Sequence, residues 1–274
     1  MNAPPAYDLL ALDLDGTLVV DSNPVTPRVR AAIRQAQARG VHVTLATGRM
    51  FQSARRFAQD LGVTVPIICY QGALIRHPQT GASLYARVMP VAPARQVLAF
   101  AAERGLHINA YVDDELYMRQ ITPEGEFYAS TARVDIHVAH DLDALVARGT
   151  TKLVIVTDED QVLPVVAALQ ARLGSALFIT RSHPRFAEAT SPDVSKGAAL
   201  HILAKRLGIP VARTMAIGDN LNDLDLVQAA GLGVAMGDGD QRVRAAAGWV
   251  TGTYFEDGVA TAIEKFILAP AGAA

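Results

Sequence analysis

The sequence predicts an α/β protein with a parallel-sheet core and an inserted α+β domain. Apolar strand-like runs alternate with helical segments in the first part of the chain and again after Val194. This alternation is typical of parallel sheets with right-handed crossovers. The residues between the two parts show a mixed pattern of helices and strands, which indicates an insertion into the α/β core.

The first strand lies in the run Leu9–Leu12, which leads directly into Asp13 and Asp15 and ends before Gly16. A strand that is apolar on both faces is typical of the centre of a parallel sheet. Alternate side chains of a strand share a face, so we expect the two carboxylates to point the same way. Ligands bind beyond the carboxyl ends of such strands, which predicts a reactive site here. A simple turn is the alternative interpretation of Asp15-Gly16.

The next segments continue the same alternation. Thr26-Pro27 is typical of a helix start, with a capping residue before proline at the first helical position. This helix is expected to end at Arg39, since Gly40 follows. The other predicted elements of this Rossmann-like core are strands over Val41–Ala46, Pro66–Tyr70 and Thr214–Ile217, and helices over Phe51–Leu61 and Lys196–Leu207.

The pattern changes near residue 74. Residues 74–89 are predicted to form a hairpin whose turn is Pro78–Gly81. Further along we predict helices over Pro93–Arg104 and 160–173, and strands within Leu106–Arg119, Lys152–Thr157 and 176–181. Phe186–Thr190 is expected to re-enter the core. The predicted division is therefore a core of residues 1–81 and 189–274, with 82–188 inserted.

Four short motifs lie in order along the chain: Asp13-Leu-Asp-Gly-Thr-Leu18, Leu45-Ala-Thr-Gly-Arg49, Ser195-Lys-Gly197 and Gly218-Asp-Asn-Leu-Asn-Asp223. They resemble the four motifs of the haloacid dehalogenase-like (HAD) hydrolases. Two tail segments, Val234–Gly237 and Glu256–Val259, are similar to the Cof-like sugar-phosphatase branch of that family. Residues 82–188 resemble, in size and place, the large cap domain of that branch. The chain departs from the branch at Gln71, where an asparagine is usual, and at Asp238-Gly239.

The resemblance implies an Mg²⁺-dependent phosphatase that acts on a small phosphorylated metabolite, such as a sugar phosphate, through an aspartyl-phosphate. It makes Asp13 the nucleophile and Asp15 the general acid and base. The implied metal ligands are Asp13, the Asp15 backbone carbonyl and Asp219, together with Asp223, which acts either directly or through water. The implied phosphate-binding residues are Thr47, Gly48 and Lys196. Candidate substrate-binding residues are Arg49, Gln71, Gly72, Arg181, His183, Arg185 and Asn222. Three of them, Arg181, His183 and Arg185, are candidates because they are basic and lie at the end of the insertion, and solvated hinge residues are their alternative interpretation.

The residue pattern supports the same grouping. Asp13, Thr47 and Asp219 each follow an apolar strand, and parallel strands bring such positions to one sheet edge. Lys196 opens a helix from which its ammonium group could reach that edge. Taken singly, each signal has another interpretation: a helix cap for Thr47, a solvated lysine for Lys196, and turn or capping residues for Asp219 and Asp223.

Composition narrows the classes of function. The net charge is −2 with no block of like charges, so we expect neither a nucleic-acid partner nor a membrane-surface helix. No apolar run approaches the roughly 20 residues that span a bilayer. The first residues lack a signal-peptide pattern, and the single cysteine, Cys69, lies in a strand-like run. These features predict a cytoplasmic protein with a buried, unpaired cysteine.

Two other functions use similar residues. A phosphoacceptor signalling module also has an aspartate at a strand end, but it needs neither Asp15 nor an inserted domain. A phosphotransferase or mutase on the same scaffold is the second alternative. The glycine-rich run Gly231–Gly237 is interpreted as a helix end followed by a strand, because a dinucleotide fingerprint needs its glycines after a strand and before a helix. Asp113–Glu115 is interpreted as a solvated turn between two strands, in preference to a metal site.

Overall fold

The computed structural model describes residues 5–20 and 23–269, and the chain folds into two compact units. Unit 1 comprises the chain up to Gly48, Ala54–Tyr85 and the chain from Ser195 onward, whereas unit 2 comprises Arg49–Ser53 and Ala86–Val194. The strands of the described residues are β1 (Leu9–Leu12), β2 (His42–Leu45), β3 (Ile67–Cys69), β4 (Leu74–Arg76), β5 (Ser83–Ala86), β6 (His107–Val112), β7 (Glu115–Met118), β8 (Ile136–Val138), β9 (Lys152–Val156), β10 (Phe178–His183), β11 (Phe186–Thr190), β12 (Thr214–Gly218), β13 (Leu232–Ala235) and β14 (Trp249–Val250). Their α-helices are α1 (Pro27–Ala38), α2 (Phe51–Asp60), α3 (Val91–Glu103), α4 (Pro123–Ala132), α5 (Leu142–Ala147), α6 (Glu159–Leu173), α7 (Lys196–Leu207), α8 (Leu224–Ala229), α9 (Gln241–Ala246) and α10 (Gly258–Ile263).

Unit 1 is built on a five-stranded sheet in the order β14-β13-β12-β1-β2. Every pairing in it is parallel. All four residues of β1 are buried, and β1 lies between β12 and β2. The structure therefore confirms the predicted fold class and the internal position of the first strand.

The first helix shows how local sequence sets an element of this unit. The Thr26 side chain accepts a hydrogen bond from the backbone N–H of Val29 at 3.3 Å, and Pro27 occupies the first helical position. The buried residues recur at helical spacing, so one face of α1 packs inward; they are Val29, Ala32, Ile33 and Ala36. The predicted start of α1 is confirmed.

The predicted third strand has a different setting from the one expected. β3 pairs antiparallel with β4 in a three-stranded sheet β3-β4-β5, and a single parallel bridge, Ala46↔Ile68, joins it to the end of β2. The chain turns sharply after Cys69 through residues with positive φ, so β3 ends before a parallel ladder can extend. The predicted hairpin over 74–89 is present, and Cys69 is buried as expected.

Unit 2 contains a six-stranded sheet in the order β10-β11-β9-β6-β7-β8. Its pairings are antiparallel except that of β7 with β8. One face packs in a hydrophobic core with residues of α3, α5 and α6, among them Leu98, Leu145 and Leu169. The predicted mixed α+β character of this region is confirmed.

The expectation that Phe186–Thr190 re-enters the core is wrong. These residues form β11, which lies between β10 and β9 in the sheet of unit 2. Only residues 184 and 185 separate β10 from β11, and so short a connection makes the two strands an antiparallel hairpin. All five residues of β11, which has a neighbouring strand on each side, are buried.

The turn between β6 and β7 also differs in part from its prediction. Asp113 and Asp114 both have positive φ, which is usual for a two-residue hairpin turn. Asp114 is not solvated, however, because it is buried and its carboxylate accepts a hydrogen bond from the Phe51 N–H at 3.0 Å.

In residues 5–20 and 23–269, no helix is both long enough and apolar enough to cross a bilayer.

Candidate active site

The carboxyl ends of neighbouring strands in unit 1 carry the predicted acidic residues. Asp13 directly follows β1, and its backbone N–H donates to the carbonyl of Ile217 in β12 at 3.0 Å. Asp219 directly follows β12. Because β1 and β12 are parallel neighbours, both side chains lie at the same edge of the sheet.

The loop after β1 is shaped around Asp219. Gly16 has φ +96°, and a Cβ at this position would lie 2.1 Å from the Asp219 carboxylate. Only glycine fits there, since the conformation and the close contact both exclude a side chain. The Thr17 hydroxyl, buried beside it, donates to Asp219 Oδ1 at 2.8 Å. Sequence reasoning gave Thr17 no role, although it lies inside the first motif.

Lys196 is the cation of this cluster. It occupies the first position of α7, whose start is capped by the Ser195 side chain, which accepts from Ala198 N–H. Its Nζ lies 2.6 Å from Asp13 Oδ1 and 2.5 Å from Asp223 Oδ1. Lys196 is 1% exposed, so the alternative of a solvated helix lysine is wrong.

Asp223 holds the opposite side of the cluster and also shapes its own loop. One carboxylate oxygen, Oδ2, accepts from the backbone N–H groups of Asp219 and Asn220, each at 3.1 Å. The other oxygen accepts from Lys196. Asp223 therefore has the capping role that the sequence left open, and its side chain also contacts Lys196.

Three carboxylates lie together around the single ammonium group of Lys196. Asp13, Asp219 and Asp223 each offer an oxygen, and these oxygens lie within 4.8 Å of one another. Burial raises the pKa of Asp13 well above its usual value, and the charge of Asp223 adds to the rise while Lys196 opposes it. Burial and the charge of Asp223 raise the pKa of Asp219 to about 7.

The pKa of Lys196 is also raised, which for a lysine favours the charged form. Burial alone would lower the pKa of Lys196, but the charges of Asp13 and Asp223 raise it above its usual value. One ammonium group against three carboxylates leaves the cluster with excess negative charge. An all-oxygen, acidic donor set of this kind fits a hard divalent cation such as Mg²⁺.

Asp15 has a different environment from Asp13. β1 ends at Leu12, so the strand alternation that predicted two carboxylates on one face does not extend to these residues. Asp13 is buried, whereas Asp15 is exposed in the loop that follows. The Asp15 carboxylate is not among the three clustered groups. Its role as acid and base stays a prediction.

Thr47, Gly48 and Gln71 lie against one another beyond the end of β2. Thr47 is fully buried, and its carbonyl accepts from the Gln71 N–H at 3.1 Å. The Gln71 amide packs on Gly48, where a Cβ would lie 2.4 Å from its Nε2. Gln71 Oε1 in turn accepts from Asn222 Nδ2 at 3.3 Å, so this side chain joins the second motif to the fourth.

The backbone around Gln71 is unusual. Tyr70, Gln71 and Gly72 have φ values of 52°, 58° and 101°. Consecutive left-handed residues are rare and tend to occur at functional sites. A Cβ on Gly72 would lie 2.2 Å from the Ser195 carbonyl oxygen, so this turn also sets the start of α7.

The remaining candidates belong to unit 2. Arg49 is half-buried, and Arg181 is exposed in β10. The His183 ring stacks on Phe186 with centroids 4.2 Å apart. The guanidinium group of Arg185 lies 4.5 Å from the centroid of Phe127, and its Nε donates to the Thr157 carbonyl at 3.2 Å. His183 and Arg185 thus both contribute to packing inside unit 2, and the substrate-binding role of all four stays a prediction.

Comparison with known proteins agrees with this arrangement. The family model of the haloacid dehalogenase-like hydrolases matches residues 10–263. A Bacillus subtilis protein named 5-amino-6-(5-phospho-D-ribitylamino)uracil phosphatase YitU is 29% identical, over 94% of this chain and 97% of its own.

Solved structures give the same result. A haloacid dehalogenase-like hydrolase from Bacteroides thetaiotaomicron has a TM-score of 0.85 and 30% identity, over 94% of this chain and 98% of its own. The crystal structure of TM0651 from Thermotoga maritima also has a TM-score of 0.85 and 30% identity, over 96% and 99%. With the family model matched over nearly the whole sequence, the chain belongs to the haloacid dehalogenase-like hydrolases, in their Cof-like phosphatase branch.

Proposed function

We propose that this chain hydrolyses small phosphate monoesters with the help of Mg²⁺, by way of an aspartyl-phosphate on Asp13. The observation that carries the proposal is the group of three carboxylates, two buried and one half-buried, beside the buried Lys196 at one edge of the parallel sheet. A phosphate monoester is a dianion near neutral pH, and a carboxylate nucleophile repels it. The site therefore needs cations, and Lys196 supplies one of them.

The residues present fit a divalent cation as the second source of positive charge. Asp13, Asp219, Asp223 and the Asp15 backbone carbonyl would hold it, since Mg²⁺ prefers oxygen ligands. When bound, Mg²⁺ supplies charge neutralisation for the carboxylates and for the phosphoryl oxygens. Burial first, and then the charge of Asp223, raise the pKa values of Asp13 and Asp219. A bound divalent cation would favour the charged forms of both carboxyls, which supports this assignment.

The chain's own groups then carry the two half-reactions. In the first, an Asp13 carboxylate oxygen attacks phosphorus, the bond from phosphorus to the ester oxygen breaks, and Asp15 protonates the departing alkoxide. In the second, Asp15 takes a proton from water, whose oxygen attacks phosphorus and releases phosphate from Asp13. Thr47, Gly48 and Lys196 hold the phosphoryl oxygens during both steps.

For the substrate we propose a small phosphorylated metabolite, such as a sugar phosphate or a compound with a sugar-like chain. The name of YitU, a phosphatase for a uracil that carries a phosphorylated ribitylamino chain, supports this class. We also propose that residues 82–188 act as a cap whose side chains, including Arg181, His183 and Arg185, select the leaving group. In unit 1, Gln71, Gly72 and Asn222 are the candidates for contacts with the substrate, and in unit 2 Arg49 is another.

Steady hydrolysis of p-nitrophenyl phosphate tests the proposed function. We expect many turnovers with Mg²⁺, none after chelation, and recovery when Mg²⁺ is restored. Asp219→Asn should raise the Mg²⁺ concentration for half-maximal rate by about tenfold or more, because it removes one charged ligand. Asp60→Asn, a change at an exposed position of α2 that pairs with Arg30, is the control and should leave that concentration unchanged. Full activity in chelator, or only stoichiometric phosphorylation, would contradict the proposal.

Asp15→Asn tests the second half of the mechanism. Nitrophenolate is a good leaving group and needs little protonation, so the first half-reaction should proceed in this variant. Activation of water should fail, because an amide cannot accept the proton. We expect a burst of about one nitrophenolate per enzyme, followed by slow turnover, with the phosphoryl group retained on the protein. Normal steady turnover with no burst would remove Asp15 from both roles.

A further inference from the structure

The first turn of α7 is held in place by the segment that also carries Asp223. The backbone N–H of Gly197, which directly follows Lys196, donates to Asp225 Oδ2 at 2.7 Å. The Ser195 hydroxyl accepts from Ala198 at 3.1 Å. Asp225 and Ser195 therefore satisfy two backbone donors that a helix start otherwise leaves without partners.

The two segments approach each other closely at this point. A Cβ on Gly197 would lie 2.5 Å from the Asp225 carbonyl oxygen and 2.9 Å from the Ala229 side chain. Only glycine at 197 lets the Asp225 backbone come so near. The helix start is thus fixed against α8 by contact and by a charge-assisted hydrogen bond, which is among the stronger kinds.

We propose that Asp225 is the positioning residue of Lys196. The segment 223–225 holds the lysine twice, through Asp223 on its ammonium group and through Asp225 on the backbone of the next residue. Lys196 Nζ lies 2.6 Å from Asp13 and 2.5 Å from Asp223, so a small shift of the helix start moves the ammonium group away from one of them. The consequence for catalysis rests on the proposed function, whereas the consequence for the lysine itself does not.

Two variants separate this role from general stability. Asp225→Ala removes the acceptor, and Asp225→Asn keeps an oxygen that can accept from Gly197. Asp141→Ala is the matched control, since Asp141 accepts a backbone N–H at 2.9 Å at the start of α5 in unit 2. All three are compared by melting temperature, by kcat and KM for p-nitrophenyl phosphate, and by lysine labelling.

The labelling does not depend on activity. A short pulse of acetic anhydride followed by mass spectrometry measures how fast each amine reacts, and exposed Lys205 in the same helix is the internal reference. Lys196 should be labelled about tenfold faster in Asp225→Ala than in the wild type, as expected when a charged hydrogen bond is lost. Asp225→Ala should also lower kcat about tenfold with little change in KM. Asp225→Asn should recover most of both, and Asp141→Ala should change neither.

The outcomes distinguish the two proposals. If Lys196 is labelled faster in Asp225→Ala than in the wild type, and the wild type shows no hydrolysis, the positioning role is supported and the proposed function is contradicted. Unchanged labelling in a folded Asp225→Ala variant would overturn the positioning role, whatever the activity. Equal labelling in Asp225→Ala and Asp141→Ala variants of equal melting temperature would also overturn it.

Discussion

Replacing Asp13 with asparagine should lower the turnover of phosphate monoesters by about 10⁴-fold or more, as loss of a nucleophile usually does. The amide keeps nearly the same shape, and its oxygen can still accept from Lys196, which lies 2.6 Å from the Asp13 carboxylate. It cannot attack phosphorus, so neither half-reaction can begin. The measurement is Mg²⁺-dependent hydrolysis of p-nitrophenyl phosphate.

The same variant should keep its stability or gain some. In the wild type, burial and the charge of Asp223 raise the pKa of Asp13, which means that its charged form is disfavoured in the fold. A neutral amide removes that repulsion, although it weakens the contact with Lys196. The pairing of lost activity with retained stability is typical of active-site groups.

Asp60→Asn provides the control for this experiment. Asp60 lies in unit 1, is exposed, and pairs with Arg30 at 2.5 Å. Exposed ion pairs contribute little, so this variant should keep its activity and its melting temperature. Retention of more than about 1% of wild-type activity in a folded Asp13→Asn variant would contradict the nucleophile assignment, since it is far above the residual activity expected after loss of a nucleophile.

The location of Asp13 and Asp219 at one edge of the sheet was predictable because it depends on the local alternation of strands and helices. Asp13 and Asp219 each follow a short apolar run, and the carboxyl ends of parallel strands meet at one edge. The pairing of β1 with β12 then brings together residues more than 200 positions apart. The family motifs added Lys196, whose sequence context alone favours a solvated lysine.

The unpredicted features depend on long-range contacts that leave no periodic signal. Nothing in the run Phe186–Thr190 distinguishes a strand of unit 2 from a strand of unit 1. Its pairing with β9 and β10 determines the unit to which it belongs. Asp114 has the turn chemistry that was expected, yet it is buried because it caps the backbone of Phe51. Asp225 and Thr17 are similar cases, since their roles appear only when Gly197 and Asp219 lie beside them.

Replacing Lys196 with methionine should lower kcat/KM by about 10³-fold, a range typical for removal of a group that stabilises developing charge. Methionine has a similar length and no charge. Asp13 and Asp223 would then lie buried without their cation. Removal of one partner of a buried ion pair usually costs about 3–5 kcal/mol, so the melting temperature should also fall. Lys205→Met, at an exposed position of the same helix, should change neither quantity.

The stability loss of Lys196→Met should depend on pH, and its sign follows from Asp13. The charge of Lys196 opposes the rise in the pKa of Asp13, so its removal raises that pKa further. A carboxyl whose pKa is higher in the folded than in the unfolded state binds more protons when folded, and stability then falls as pH rises above about 4. The deficit in melting temperature against the wild type should therefore be larger at pH 8 than at pH 5.

Addition of Mg²⁺ at pH 8 distinguishes charge balance from packing as the source of that deficit. If the deficit reflects unbalanced carboxylates, a divalent cation that binds the folded state should recover part of it. If methionine merely packs badly, Mg²⁺ should raise the melting temperatures of the variant and the wild type equally, and the deficit should be the same at both pH values. That second outcome would contradict the view that Lys196 is required in the fold as a counter-charge to Asp13 and Asp223.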